Sequence, residues 1–205
     1  MNIPHELVKK VSFARMPSDE LTSYEAAKGV LVEWGGGQVV AVATDGHRIA
    51  WAGQPATGEG QMLVDASAGQ EVKHFPPWRA CLPNWEKAKD KRNFTVARDG
   101  LKRVLRLARP MADKWYRGVR FSLAPGGLTV SSTCDAGEFT ETLSLRVTGE
   151  PLEVGFNADY LLDFLHAAAS GPIHCQFENY DRVAEFTALG ETDCEFHYLL
   201  MPMRL

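Results

Sequence analysis

The sequence predicts an α+β fold built from repeated units of one helix followed by antiparallel strands. Two observations carry this. Residues 93–201 run strand, helix, three strands twice over, and both helices place apolar side chains at helical spacing. Residues 3–52 supply helix and three strands once more, and because identity between the copies is slight, the repeat rests on element order.

A helix is expected over 3–16, opened by Pro4, which suits a first turn, and striped by Leu7, Val8, Val11 and Ala14. Strands over 29–34 and 38–44 flank Gly35, Gly36 and Gly37, a hairpin signal, and Asp45-Gly46 turns the chain into a third strand over 47–52. From 53 to 92 prolines and glycines punctuate short pieces such as 62–65, and the charged run 84–92 reads as a linker. The expected domains are therefore 1–83 and 93–205.

In the second domain a strand over 93–96 precedes a helix over 99–108, whose inner stripe is Leu101, Val104, Leu105 and Ala108. Arg98, Lys102, Arg103, Arg106 and Arg109 flank or cover its other face, and Pro110 stops it. Strands follow at 119–123, 128–132, 138–147 and 152–156. Asn157 caps a helix that carries Tyr160, Leu161, Phe164, Leu165 and Ala168 inward and stops near Gly171. Strands at 173–177, 183–188 and 195–201 close the chain. Pro202 ends strand pairing, so Met203, Arg204 and Leu205 peel away as an adaptable apolar surface suited to extended peptides.

Net charge is −4 with histidines neutral, so any attraction for nucleic acid has to be local. Cys81, Cys134, Cys175 and Cys194 fall at no metal-ligand or redox spacing, and no leader pattern opens the chain. Reduced thiols, a cytoplasmic location, no metal and no cofactor are expected. No apolar run approaches the ~20 residues that cross a bilayer, so no membrane partner is expected.

The run Val42, Ala43, Thr44, Asp45, Gly46, His47, Arg48, Ile49, Ala50, together with terminal Met201, Pro202, Met203, Arg204, Leu205, resembles the bacterial DNA polymerase III beta subunit, the sliding clamp. The resemblance continues through Phe75-Pro76, Leu82-Pro83, residues 116–120 and residues 155–163. It implies the DNA clamp fold, whose domains encircle duplex DNA and tether polymerases by short linear motifs. The family usually has three domains per chain. Met1 falls where the middle one would begin, and residues 52–75 are short for its second half, so a shortened form lacking the first domain is expected.

The resemblance places a peptide groove between the two domains, on Thr44, Gly46, His47, Arg48, Ile49, Pro76, Tyr116, Asn157, Tyr160, Leu199, Leu200, Met201, Pro202, Met203, Arg204 and Leu205. Gly46 would let backbone approach, Ile49, Pro76, Met201 and Met203 would form walls, and Arg48, Asn157 and the tyrosine hydroxyls would orient peptide amides. Ala27, Ala80, Cys81 and Asp181 depart from the family's larger, basic or more apolar residues, which would reshape the pocket. Family helices line the central hole, so the basic face from Arg98 to Arg109, extended by Lys9, Lys10 and Arg15, is the expected surface for sequence-independent contact with duplex DNA.

These readings converge on a non-enzymatic replication or repair accessory protein. Its expected partners are duplex DNA, peptide motifs of DNA polymerases or repair proteins, and copies of itself. Two domains per chain against six per ring favour a trimer if a ring closes. One alternative is a regulator or decoy that holds clamp-binding peptides without encircling DNA. Another is a hydrolase using His47 and Asp45, although no nucleophile motif accompanies them. The Thr44 to His47 run also has a purely structural reading, as a tight turn whose Asp satisfies backbone donors.

Overall fold

The computed structural model describes residues 2–20, 24–65 and 71–205; part of the irregular stretch expected over 53–92, residues 66–70, lies outside them. The chain forms two compact units, Met1–Leu82 with Glu191–Tyr198, and Pro83–Gly190 with Leu199–Leu205. Among the described residues no helix is long and apolar enough to cross a membrane.

The first unit opens with α1, His5–Val11, which continues as a 3-10 turn over Ser12–Ala14 and is shorter than the expected 3–16. The reason is local. Ser12 Oγ donates to the Lys9 carbonyl at 3.0 Å, an alternative to the helical ladder, and the chain leaves the helix at Arg15. Leu7, Val8, Val11 and Ala14 are buried, and α1 packs on the strands that follow. These are β1 (Val30–Gly35), β2 (Gln38–Thr44) and β3 (Arg48–Pro55), paired antiparallel in sequence order. Gly36 and Gly37, both at positive φ, make the two-residue hairpin turn, which L side chains resist there. The short piece expected over 62–65 falls in a fourth strand, β4 (Gly60–Val64), which pairs with the free side of β1. Its burial does not alternate cleanly, which removed the usual signal.

The second unit is a strand-exchanged duplication. Its first copy comprises β5 (Arg92–Ala97), α2 (Arg98–Ala108), β6 (Gly118–Ala124), β7 (Gly127–Cys134), β8 (Gly137–Leu143) and the short β9 (Val147–Thr148). The second comprises β10 (Leu152–Asn157), α3 (Ala158–Ala167), β11 (Pro172–Phe177) and β12 (Ala184–Ala188), and the chain closes with β13 (Glu195–Leu200), whose residues up to Tyr198 group with the first unit. Each copy lends its first strand to the other. β10 pairs with β6 in the order β10-β6-β7-β8, while β5 pairs with β11 in the order β12-β11-β5-β9. The single strand expected over 138–147 is broken for this reason. Residues up to Leu143 pair with β7, whereas Val147 pairs with Phe94 in the other sheet, and the chain crosses in between.

The exchange leaves inward faces that share one core. Phe156 contacts Phe121, Phe177 and Phe186, and Phe186 in turn contacts Phe164, with ring centroids 5.4–6.3 Å apart. Leu101, Val104, Leu105 and Ala108 are fully buried as expected. On α3, Leu162 joins the buried set while Tyr160 is only half-buried. α2 and α3 pack against each other.

Candidate functional site

In the first unit, Thr44 to Ile49 form a braced turn. Asp45 Oδ1 accepts from the His47 and Arg48 backbone N–H groups at 3.0 and 3.1 Å, and its Oδ2 accepts from Arg48 Nε at 2.8 Å. Thr44 Oγ1 donates to the Arg48 carbonyl at 2.7 Å and accepts from Gly46 N at 3.1 Å. Gly46, at φ +89°, is the residue that only glycine fits without strain. Arg48, expected to orient a peptide, is instead only 8% exposed. It pairs with Asp45, donates to the Phe13 carbonyl at 3.0 Å and lies over the Phe13 ring. Its role is to hold the turn. With both Asp45 oxygens so engaged, the Asp45–His47 acid-base pair has no geometric support. What the turn presents is Gly46 and His47, exposed, above a buried Ile49. Pro76 is half-buried and lines a hollow of about 270 Å³ with Leu31, Phe75 and Trp78.

In the second unit the tail departs from β13 as expected, but Leu199 and Leu200 are 1% exposed and belong to the core rather than to a surface. Met201 is 47% exposed. After Pro202, Met203 N donates to the Gly155 carbonyl at 2.9 Å in an isolated antiparallel bridge to β10. Leu205 then lies against Gly155 and Gly118, on the outward face of the β10-β6 pair. The tail and Tyr116 line a cavity of about 380 Å³ with Asp113, Arg120 and the hydroxyl-bearing residues Ser131 to Thr133.

Asn157 joins the predicted residues of this unit. Its Oδ1 caps α3 by accepting from Asp159 N at 2.9 Å and Tyr160 N at 3.1 Å, and its Nδ2 donates to the Tyr116 carbonyl at 3.1 Å. Trp115 and Tyr116 stand 87% and 69% exposed on a loop braced from beneath, where Asp113 Oδ1 accepts from both of their backbone N–H groups. Those two bonds hold the Asp113 carboxyl below the usual carboxylate range. Sequence reading passed over Gly118, Gly155 and Trp115. Gly155 carried a signal, since glycine inside a strand marks close approach; Gly118, just ahead of the expected strand, and an exposed tryptophan carry none.

The basic stripe is more neutral than its sequence. Arg103 pairs with Glu141, Arg109 with Asp159, Arg98 with Asp99, Lys10 with Glu191 and Arg15 with Asp65. Arg106 faces the His166 ring at 3.1 Å. Among the described residues Lys9, Lys102 and Arg106 have no carboxylate partner. The Lys102 ammonium is pushed down from its ordinary range by desolvation first and then by Arg106 and Arg98. No group of three or more His, Cys, Asp or Glu side chains among the described residues could hold a metal.

A duplicated, strand-exchanged unit with two helices, ending in an apolar tail laid back on its own sheet, defines a clamp-type domain. The family described as DNA polymerase III beta subunit, C-terminal domain, matches residues 83–204, and the chain belongs to that family. The beta sliding clamp of Vibrio cholerae is 27% identical over 240 residues, covering 97% of this chain and 63% of the relative. That of Caulobacter vibrioides is 28% identical over 249 residues, covering 98% and 64%. The crystal structure of the DNA polymerase III subunit beta from Pseudomonas aeruginosa superposes with a TM-score of 0.82 at 24% identity, covering 98% of this chain and 64% of that one. The beta subunit from Thermotoga maritima gives 0.82 at 21%, covering 98% and 63%. The chain thus spans somewhat under two thirds of the length of these relatives.

The braced turn makes a definite prediction. Asp45→Ala removes the carboxylate that the buried Arg48 guanidinium pairs with and should destabilise the protein by about 3–5 kcal/mol. Asp45→Ala with Arg48→Met should recover most of that loss in urea denaturation. Equal midpoints for wild type and Asp45→Ala would contradict a structural role for the pair.

Proposed function

We propose that this chain acts as a sliding-clamp-like accessory protein of DNA replication or repair, built of clamp-type domains over 1–83 and 93–205 joined by 84–92. It is not an enzyme in this reading. Its business is to hold short linear peptides of polymerases or repair proteins. The single observation that carries the reading is Met201, an apolar side chain held half out on a fixed scaffold between buried Leu200 and bridged Met203. Thioether side chains placed this way adapt to apolar peptide anchors. Tyr116 and Arg204 line the cavity beside Met203 and Leu205, Asn157 and Tyr160 stand at the start of α3 in the same unit, and Gly46, His47, Ile49 and Pro76 are the first unit's residues among those the family resemblance implies. Arg48, Thr44, Leu199 and Leu200 act in this reading as supports rather than as contacts.

A fluorescent peptide containing Gln and apolar residues should bind, and removing Met203 to Leu205 should weaken it ~10-fold or more, as loss of hot-spot anchors does. Griselimycin, to which a Pseudomonas aeruginosa clamp is bound in its crystal structure, is a second probe for the same titration. Absence of binding, or equal binding after truncation, would overturn the peptide reading.

Contact with duplex DNA would rest on few charges, because Arg98, Arg103 and Arg109 are paired with carboxylates. Exposed pairs are worth little and can exchange for phosphate, but the lasting positive charge rests on Lys102 and Arg106. Replacing both with Ala should lower the slope of log affinity against log salt by about 0.9 for each phosphate that is no longer neutralised. An unchanged slope would assign DNA contact elsewhere, or, with no binding at all in wild type, favour a regulator that holds peptides off DNA.

Assembly follows from sheet edges. Among the described residues β8 ends the four-stranded sheet and β4 ends the nine-stranded one, each with an unpaired side that can accept a strand from another copy. Self-association through such edges is expected, with three copies if a ring of six domains closes. Light scattering at low salt should show a mass above the monomer; a monomer at high concentration would refute it, and a dimer would refute the trimeric ring.

A further inference from the structure

Gly155 sits inside β10, where glycine weakens a strand, Gly118 is the first residue of β6, and neither has the positive φ that would demand glycine. Backbone conformation therefore does not explain them; space does. A methyl group on Gly155 would fall 2.5 Å from the Met203 carbonyl oxygen and 2.6 Å from Leu205 Cγ, and one on Gly118 would overlap Leu205 Cδ2. The two positions are diagonal neighbours, since Gly155 pairs with Arg120 and Asn157 with Gly118, and both lie on the outward face, opposite inward Val119, Phe121, Val154 and Phe156. Together they form a notch one side chain wide. Leu205 fills it from above while the Met203 amide is tied to the Gly155 carbonyl.

We infer that this two-glycine notch is the seat that positions the tail, and that Gly118 and Gly155 are thereby positioning residues for peptide binding, without touching the peptide. The inference rests on the peptide-binding reading above. Seating Leu205 and bridging Met203 fixes a segment of five residues at two points, so Met201 and Met203 are held in place before a peptide arrives. Ordering that would otherwise be lost on binding is already supplied by the fold. The contacts differ in a useful way. At Gly118 the conflict is with the far end of a leucine side chain, which a smaller residue at 205 relieves. At Gly155 it includes backbone, which no side-chain change relieves.

Hydrogen exchange of the Met203 amide tests the seat itself, and peptide titration tests its consequence. In wild type the Met203 amide should be protected. Gly155→Ala should abolish that protection, Gly118→Ala and Leu205→Ala should each reduce it, and the Gly118→Ala, Leu205→Ala double variant should lose no more than the worse single one. Peptide affinity should fall about tenfold in Gly118→Ala and in Leu205→Ala alike, and the double variant should be no weaker than the worse single one, because both act through one seat. Should Gly118→Ala fail to fold, Leu205→Ala alone must still raise exchange at Met203. An unprotected Met203 amide in wild type, or independent losses that multiply to about a hundredfold, would overturn the seat. Protection that follows the expected pattern while wild type binds no peptide would leave the seat standing and sink the peptide reading instead.

Discussion

The exchange of first strands between the two copies of the second unit is the constraint on which the rest depends. Because β10 belongs to the sheet of β6, β7 and β8, the helix that follows it, α3, starts beside the loop that precedes β6. Asn157 is the joint, capping α3 and holding the Tyr116 carbonyl with one side chain. The same exchange puts Gly155 on a sheet edge whose outer side is free to receive Met203. Had each copy kept its own first strand, the tail would have no edge to bridge and no notch to fill. The aromatic cluster around Phe156 and Phe186 follows from the same arrangement, since it draws side chains from both copies.

Electrostatics modify the picture drawn from sequence. A stripe of arginines on α2 looks like a phosphate-binding face, yet folding brings it against Glu141 from β8 and Asp159 from α3. Sequence distance hid those partners, which lie 38 and 50 residues away. The surface left behind is mixed in sign, with Lys102 and Arg106 carrying the unpaired charge. A surface of mixed sign attracts polyanions weakly and in a salt-dependent way.

Elements with a strong period were legible in advance. The stripe Leu101, Val104, Leu105 and Ala108 fixed α2 to within a residue, and Asn157 announced α3. The Asp45-Gly46 turn and the Gly36-Gly37 hairpin were equally plain, because each is written in residues whose backbone preferences leave little choice. What escaped was non-local. The pairing of β4 with β1 joins segments about thirty residues apart, the break between β8 and β9 comes from a change of sheet, and Arg48 became a buried support only through Asp45 and Phe13. In the candidate site, the terminal apolar residues stood out at once, whereas the glycines that seat them become meaningful only when β6 and β10 are seen side by side.

The central claim is that the tail is a prepared binding surface. Hydrogen exchange across the whole chain, with and without a saturating Gln-containing apolar peptide, addresses it most directly. The account predicts slowed exchange at the backbone amides of Met201, Met203, Arg204 and Leu205, with α2 unchanged. Slowing confined to α2 and α3, or no change at the tail under saturating peptide, would contradict it.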